Sequence, residues 1–259
     1  MKQTSKLLFI STMIATYPLV SEAMTGIEAK NLAIASSKGD AASLTQLREA
    51  AMKGNPSAQD WLGYFYNARN NNIKANYIKA NYWYLKSAEQ DDSRAENDLG
   101  AMYLFGEGLK KNYTKAAYWF RKAAHQGLAV AECNLADSYN DGQGVKIDHK
   151  KSLYWLKKSA KQGYVRAETT LAMDYDLGQD GVTKNYLKAD EWYRKAVKQG
   201  SAGAEESLAY AYYMGDGVPQ NSKKAIYWYK RSATTKSCRL LAKNDIKAIE
   251  TGGEIIPAY

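Results

Sequence analysis

Few residues of this chain are of types that could act in catalysis or metal binding, and most of these have no second such residue at a suitable spacing. Asp137 and Asp141 lie one helical turn apart, which is the spacing that two cooperating acid–base carboxylates would need. His125 and His149 are the only histidines, and no recurring acid or nucleophile stands beside either at helical spacing. Solvated or partner-facing side chains are the simpler interpretation of all four. We therefore expect no catalytic residue, no metal site and no cofactor.

Three Gly-x-Gly segments invite comparison with a phosphate-binding loop. They are Gly106-Glu-Gly108, Gly142-Gln-Gly144 and Gly215-Asp-Gly217. A phosphate loop requires a strand before it and a Lys-Ser/Thr pair after it, and neither pattern is present. The segments instead recur at one place in a repeated sequence, which indicates turns between helices.

The elements that position these residues repeat with a period of 36 or 37 residues. Five blocks begin at Ala58, Ala95, Ala131, Ala167 and Ala204. In the first half of each block, Ala, Leu and Tyr recur at i, i+4 and i+8, which is one face of a helix. The second half carries an aromatic pair whose Trp recurs as Trp83, Trp119, Trp155, Trp192 and Trp228. Each block is therefore predicted to be a helix pair whose Trp fills the core.

These blocks resemble Sel1-like repeats, which are bacterial relatives of tetratricopeptide repeats. The resemblance rests on the pattern Ala-x-x-x-Leu-Gly-x-x-Tyr-x-x-Gly-x-Gly-Val, followed by Lys-Ala-x-x-Trp-Tyr-x-Lys-Ala-Ala-x-Gln-Gly. Residues 95–127 match it most closely, with Leu109 where Val is usual. The resemblance implies an all-α fold, an α/α solenoid in which helix-turn-helix repeats form a right-handed superhelix. Its concave groove would suit the binding of another protein.

The repeats and the pattern of the N-terminal residues together divide the chain. A signal peptide is expected at 1–23, and a degenerate capping repeat at 24–57. The five repeats are assigned to 58–94, 95–130, 131–166, 167–203 and 204–235. A C-terminal capping helix and tail are expected at 236–259, because repeat arrays need atypical ends.

The N-terminal residues have the pattern of an export signal. Lys2 and Lys6 precede a 14-residue apolar stretch, Leu7 to Val20, and Ser21-Glu22-Ala23 resembles a cleavage site. This pattern predicts a periplasmic protein. The alternative, an uncleaved membrane anchor, is weaker because the stretch is short for a span and contains Pro18.

The composition agrees with a folded domain. Hydrophobic residues make up 45% of the chain, which excludes disorder over its whole length. The mean hydropathy of -0.55 argues against an integral membrane protein.

The formal net charge of +9 has a regular layout. One cation follows the aromatic residues of each second helix, namely Lys86, Lys122, Lys158, Lys195 and Arg231. Charge alone would suit nucleic acid, but export argues against that partner. A solvated outer face is the simpler interpretation, and weak contact with an anionic membrane surface is the alternative. No transmembrane span is expected.

The residues assigned to partner binding follow from the resemblance. In the parent repeats, the groove-facing positions of each first helix lie two before its Leu and two, five and six after it. The assigned residues are Asp60, Tyr64, Asn97, Asp137, Asn140, Asp141, Asp176, Glu206, Tyr210 and Tyr213. The same positions hold Leu104, Phe105, Leu177 and Met214, which either face the groove or pack at the turn. The full set has five carboxylates and no cation, so we expect a partner with a basic surface.

The two cysteines argue against one functional class. Cys133 and Cys238 are separated by nearly three repeats, so they are predicted to be unpaired. Cysteine-rich Sel1-like proteins of the β-lactamase-like or penicillin-binding type carry a Cys pair within each repeat. Cys133 has no Cys in the helix before it, which leaves that enzyme class as a remote alternative.

The function that we expect is therefore non-catalytic protein binding in the periplasm. An immunity protein that neutralises a toxic secreted effector, for example a type VI secretion phospholipase or lipase, is the preferred role. An envelope regulatory or host-interaction adaptor is the alternative.

Overall fold

The computed structural model describes residues 24–67, 75–233 and 239–251, and the predicted signal peptide at 1–23 lies outside them. Within these residues the chain forms thirteen α-helices and no strand. Their bounds are α1 Gly26–Ser37, α2 Ala41–Met52, α3 Pro56–Asn67, α4 Tyr77–Ala88, α5 Ser93–Phe105, α6 Tyr113–His125, α7 Ala129–Asp141, α8 His149–Lys161, α9 Val165–Leu177, α10 Tyr186–Lys198, α11 Ala202–Met214, α12 Ser222–Ser232 and α13 Arg239–Thr251. Each helix packs on the next along the chain, which confirms the predicted all-α repeat solenoid.

Polar caps begin the second helix of every repeat. The capping residues are Asn76, Asn112, Asp148, Asn185 and Asn221. Each side-chain oxygen accepts the backbone N–H three residues later, at 2.9–3.0 Å. These bonds satisfy a donor that the first turn of a helix leaves without a partner.

The glycine turns join one repeat to the one before it. Gly217 has a φ of 68°, and a Cβ on it would lie 2.6 Å from the Cβ of Tyr186 in the preceding repeat. Only glycine permits both this backbone conformation and this close approach. The segment is therefore an inter-helix turn, as the sequence indicated.

The buried core runs between the two helices of each repeat and between neighbouring repeats. In the second repeat, the ring of Phe120 of α6 lies against Gly100 of α5, and Ala95 and Leu99 of α5 belong to a buried cluster against which Trp119 packs. Phe120 is 1% exposed, whereas Trp119 is only half-buried. The expectation that the repeat Trp fills the core therefore holds in part: Trp119 packs at the edge of a buried cluster, whereas in the third repeat Trp155 is 8% exposed and belongs to the core.

Both ends of the array carry helices outside the five repeats. The helices α1 and α2 pack against α3 through Ala33, Leu47 and Ala51. At the other end, α13 packs on α12, and its Ile246 and Ile249 lie against the cluster around Tyr229. These helices cover faces of the first and last repeats that would otherwise expose apolar surface.

Candidate functional site

A groove crosses the first helices of the N-terminal and central repeats, and three adjoining cavities mark it. The largest, which we call the central cavity, has a volume of about 540 Å³ and lies between α5 and α7. The N-terminal cavity, of about 140 Å³, is lined by Trp61, Tyr64, Leu128 and Val130 among others. A third cavity of about 140 Å³ lies beside them. Asp98 lines all three cavities, so they form one continuous surface.

The structure brings half of the ten assigned residues into these cavities. The five are Asp60, Tyr64, Asn97, Asp137 and Asp141. The remaining five lie outside the three cavities, and they are Asn140, Asp176, Glu206, Tyr210 and Tyr213. The two groups differ in surroundings as well as in place.

Asp60 lies beneath the groove surface. Its side chain is almost wholly buried, and Arg94 Nε lies 3.4 Å from its Oδ2. Burial raises the pKa of Asp60 well above its usual range, the neighbouring Asp92 and Asp98 raise it further, and Arg94 opposes them. Asp60 is therefore placed to position Arg94 rather than to contact a partner.

A polar network crosses three repeats along the floor of the groove. The Arg166 guanidinium pairs with Asp137 and donates to Asn134 Oδ1 at 3.0 Å. Asn134 Nδ2 donates to Asn97 Oδ1 at 2.9 Å, and Asn97 Nδ2 donates to Asp98 Oδ1 at 3.1 Å. Asp137 thus has a cationic partner within the chain, so its carboxylate is not an unpaired charge in the groove.

Two arginines in the groove were missed by the sequence reasoning. The assigned set contained no cation, whereas Arg94 and Arg166 lie among its carboxylates. Both stand immediately before the Ala that begins a repeat, a position outside the four offsets used. That place is held by Ser57, Val130 and Gly203 in the other repeats. The alternation of arginine with small or apolar residues at this position of successive repeats is the sequence pattern that could have identified the two arginines.

Asn140 and Asp141 end α7 and face different neighbours. Asn140 Oδ1 lies 2.9 Å from Nδ1 of His149, which in turn lies 3.8 Å from Asp180 Oδ1. Asp141 is exposed and accepts long hydrogen bonds from the amides of Asn140 and Gln143, at 3.4 and 3.3 Å. Asp141 is therefore an exposed carboxylate at the mouth of the central cavity.

Further along the array, Asp176 lies in a more enclosed setting. Burial raises the pKa of Asp176, Asp216 adds to the rise, and Lys184 opposes it. Tyr193 Oη donates to Asp176 Oδ2 at 3.4 Å. The carboxyl is tied to its own helix pair rather than directed at the N-terminal groove.

The last assigned residues lie near the C-terminal helix. Tyr210 and Tyr213 are partly buried and pack with the apolar cluster around Tyr229, which α13 completes. Burial and the neighbouring Glu206 raise the pKa of Asp245 on α13 to about 6. This end of the first-helix face is therefore partly covered by the chain itself.

The apolar residues whose orientation the sequence left open are mostly exposed. Phe105, Leu177 and Met214 are exposed, Phe105 at 61% of its surface. Leu104 is partly buried against the central core. Tyr64 is 44% exposed beside Trp61, with ring centroids 5.2 Å apart. The first-helix face thus presents several large apolar side chains to solvent, as protein interfaces do.

Three of the five recurring cations on the second helices pair with buried carboxylates rather than being simply solvated. Lys122 Nζ lies 2.9 Å from Glu96, Lys158 Nζ lies 2.8 Å from Glu132, and Arg231 Nε lies 2.6 Å from Glu205. All three glutamates are buried. Each cation also lies over the Trp of its own repeat, at 5.0–5.3 Å from the ring. This face therefore has less free positive charge than the sequence suggested.

Other candidate chemistry is sparse in the part of the chain that the structure describes. There, no group of three or more His, Cys, Asp or Glu could hold a metal ion, and no helix is both long and apolar enough to cross a membrane. Cys133 is a buried free thiol whose pKa is raised by burial, and Cys238 lies outside the described residues. His125 is exposed, with its ring 5.2 Å from that of Trp155.

Comparison with known families places the repeats. The profile described as Sel1 repeat matches residues 56–92, 93–128, 129–164, 166–201 and 202–234. No curated protein matches the chain. The matched segments begin at or near the first residue of each repeat's first helix.

Solved structures give the same fold. A Sel1 repeat protein from Oxalobacter formigenes is 34% identical with a TM-score of 0.74, over 91% of this chain and 92% of that one. The protective antigen c5321 of uropathogenic Escherichia coli, which has an SLR fold, is 35% identical with a TM-score of 0.71 over 82% of this chain. The match spans only 45% of the antigen's length. The immunity protein Pa5087 of Pseudomonas aeruginosa shares the fold at 21% identity, with a TM-score of 0.54 over 81% of each chain.

Proposed function

The chain belongs to the Sel1 repeat family, whose solenoids mediate protein–protein binding, and we propose that it is an immunity protein that neutralises a toxic secreted effector. The observation that carries the proposal is the groove itself. It joins three cavities to exposed aromatic side chains such as Tyr64 and Phe105 on one face of the array. An inhibitor of this kind needs a broad, preformed surface and no catalytic group of its own.

The likeness to Pa5087 supports this role only at the level of the fold. That protein is an immunity protein with a solenoid of the same kind, at 21% identity. We propose a phospholipase or lipase delivered by type VI secretion as the first effector class to test.

We further propose that the protein acts in the periplasm after cleavage behind Ala23. The support is the sequence of residues 1–23, with its two lysines, apolar stretch and small-residue site. Mass spectrometry of a periplasmic fraction should find a mature N-terminus at Met24. Recovery of intact Met1 in the cytosolic fraction would contradict export.

The test of the immunity role is neutralisation. A strain that lacks this gene should lose viability when the effector encoded beside it is directed to its periplasm, and the plasmid-borne gene should restore growth. Asp141→Lys combined with Tyr64→Ala should weaken effector binding at least tenfold, about 1.4 kcal/mol, because both side chains are exposed at the groove. Lys150→Glu on the second-helix face is the control and should neutralise normally.

An envelope or host-facing adaptor is the second candidate. It is favoured by the likeness, at 35% identity, to a protein described as a protective antigen. Normal growth of the deletion strain against every neighbouring toxin, together with co-purification of an envelope protein, would favour this role. The enzyme alternative predicts turnover of nitrocefin by the purified protein, whereas the Sel1 family is generally a non-catalytic scaffold.

A further inference from the structure

The N-terminal cavity and the central cavity adjoin each other but differ in character. Both are lined by Asn97 and Asp98. The N-terminal cavity has an apolar wall made by Trp61, Leu128 and Val130. At about 140 Å³, it is large enough for one aliphatic side chain and too small for a helix.

The central cavity is larger and carries more carboxylate than cation. Asp98, Asp137 and Asp141 line it, together with Arg166 and Lys111. Arg166 is committed to Asp137 and Asn134. Lys111 Nζ lies over the ring of Tyr113, 4.7 Å from its centroid.

The negative charge of this cavity contrasts with the rest of the chain. The three carboxylates exceed the two cations there, whereas the whole chain has a formal net charge of +9. Asp141 meets only amide donors among the described residues, at 3.3 and 3.4 Å. The exposed ring of Phe105 lines the same cavity and offers an apolar wall for the stem of a long side chain.

We propose that these two cavities hold an extended basic segment of the partner protein. An aliphatic side chain enters the N-terminal cavity, and a lysine or arginine two residues away enters the central cavity. Alternate side chains of an extended segment lie on one side, about 7 Å apart, which suits two adjoining cavities. The inference rests on the proposed function, since it names the chemistry that the same groove recognises.

The role of Asp141 is electrostatic, and that of Trp61 and Tyr64 is apolar. A basic side chain in the central cavity would give Asp141 the cationic partner that no described residue supplies. An aliphatic side chain against Trp61 and Tyr64 would cover the ring of Tyr64, which is now 44% exposed. The two contributions are separable by experiment, because different residues carry them.

The test uses the purified protein and capped synthetic peptides, so it does not depend on finding the partner. The probe is acetyl-Gly-Ser-Leu-Gly-Arg-Gly-Ser-amide, with versions in which Leu is replaced by Ser or Arg by Gln. Proton–nitrogen correlation spectra resolve the indole signals of the six tryptophans, and Trp61→Phe identifies the signal of Trp61. We expect the Leu/Arg peptide to shift the Trp61 signal and leave that of Trp192 in place.

Matched variants separate the two cavities. Asp141→Asn should weaken binding of the Arg peptide at least fivefold, remove most of its salt dependence, and leave the Gln peptide unchanged. Glu191→Gln, an exposed carboxylate on the second-helix face, is its control. Tyr64→Ala should abolish the preference for Leu over Ser. Tyr118→Ala, which changes a somewhat more exposed tyrosine on that other face, should not.

Three results would overturn the inference. They are an unmoved Trp61 signal at millimolar peptide, equal binding of all three peptides, and shifts confined to the tryptophans of the second helices. Because none of these measurements uses the effector, such a failure leaves the neutralisation test of the proposed function standing. Conversely, peptide binding without neutralisation would leave the groove chemistry intact and reject the immunity role.

Discussion

Lys158 Nζ lies 2.8 Å from Oε1 of Glu132, a carboxylate whose side chain has no exposed surface. Gln162 Nε2 donates to the other oxygen at 2.7 Å. The same arrangement recurs in the second repeat, where Lys122 and Gln126 meet Glu96. In the second, third and fifth repeats, a basic residue of the second helix therefore joins the helix pair through a buried glutamate.

Reversal of this charge should destabilise the array. Lys158→Glu places a second carboxylate against Glu132, so it should lower the free energy of unfolding by about 2–3 kcal/mol. This is less than for a wholly buried pair, because Lys158 is partly exposed. Thermal melting followed by circular dichroism measures the effect. Lys150→Glu, in the first turn of α8, should cause no loss, since a carboxylate is favoured there. Equal melting curves for the two variants would refute the role of Lys158.

The core aromatic of the second repeat should be the more sensitive of two neighbours. Phe120→Ala should cost about 3–5 kcal/mol, because it empties a buried site between α5 and α6. Trp119→Ala should cost at least about 1 kcal/mol less, since half-buried side chains lose less contact on truncation. Urea denaturation of both variants measures the two losses in free energy of unfolding. A larger loss for Trp119→Ala than for Phe120→Ala would show that Trp119 contributes more to the core.

Gly100 should tolerate no side chain. A Cβ there would lie 2.7 Å from the ring of Phe120, so Gly100→Ala should cost about 1–3 kcal/mol despite the higher helix propensity of alanine. Gly203→Ala is the matched control, because it lies in α11 with nothing within 4 Å, and it should stabilise the protein slightly. Gly100→Ala with Phe120→Leu should recover part of the loss if the ring is the cause.

The fourth repeat should respond to pH through Asp174. Burial raises the pKa of its carboxyl to about 7, and the charge of Asp180 contributes. The unfolded pKa is lower, so the folded state binds the proton more tightly, and stability falls as pH rises from about 4 to 7. Asp174→Asn should remove this fall, with a gain over wild type at pH 7.5 that vanishes near pH 4. Melting temperatures of both proteins between pH 4 and 8 provide the measurement, and parallel curves would contradict it.

The sequence determined the repeat, and with it the fold class. Ala, Leu and Tyr recur at helical spacing, and a glycine turn recurs at a fixed place in the repeat. This pattern favours helix pairs that stack on their neighbours. The repeat and its helix pairs need only the period of the pattern and the preferences of single residues. The groove on the first helices was instead an implication of the resemblance to Sel1-like repeats.

Only the tertiary structure decided which side chains meet. Arg166 pairs with Asp137, 29 residues earlier, and Asn134 donates to Asn97, 37 residues earlier. Such contacts depend on how far one repeat is rotated and shifted on the next, and that geometry comes from packing between repeats rather than from any one helix. For the same reason, the sequence placed Trp119 in the core and left Lys158 in solvent, whereas the packed array buries Phe120 and joins Lys158 to Glu132.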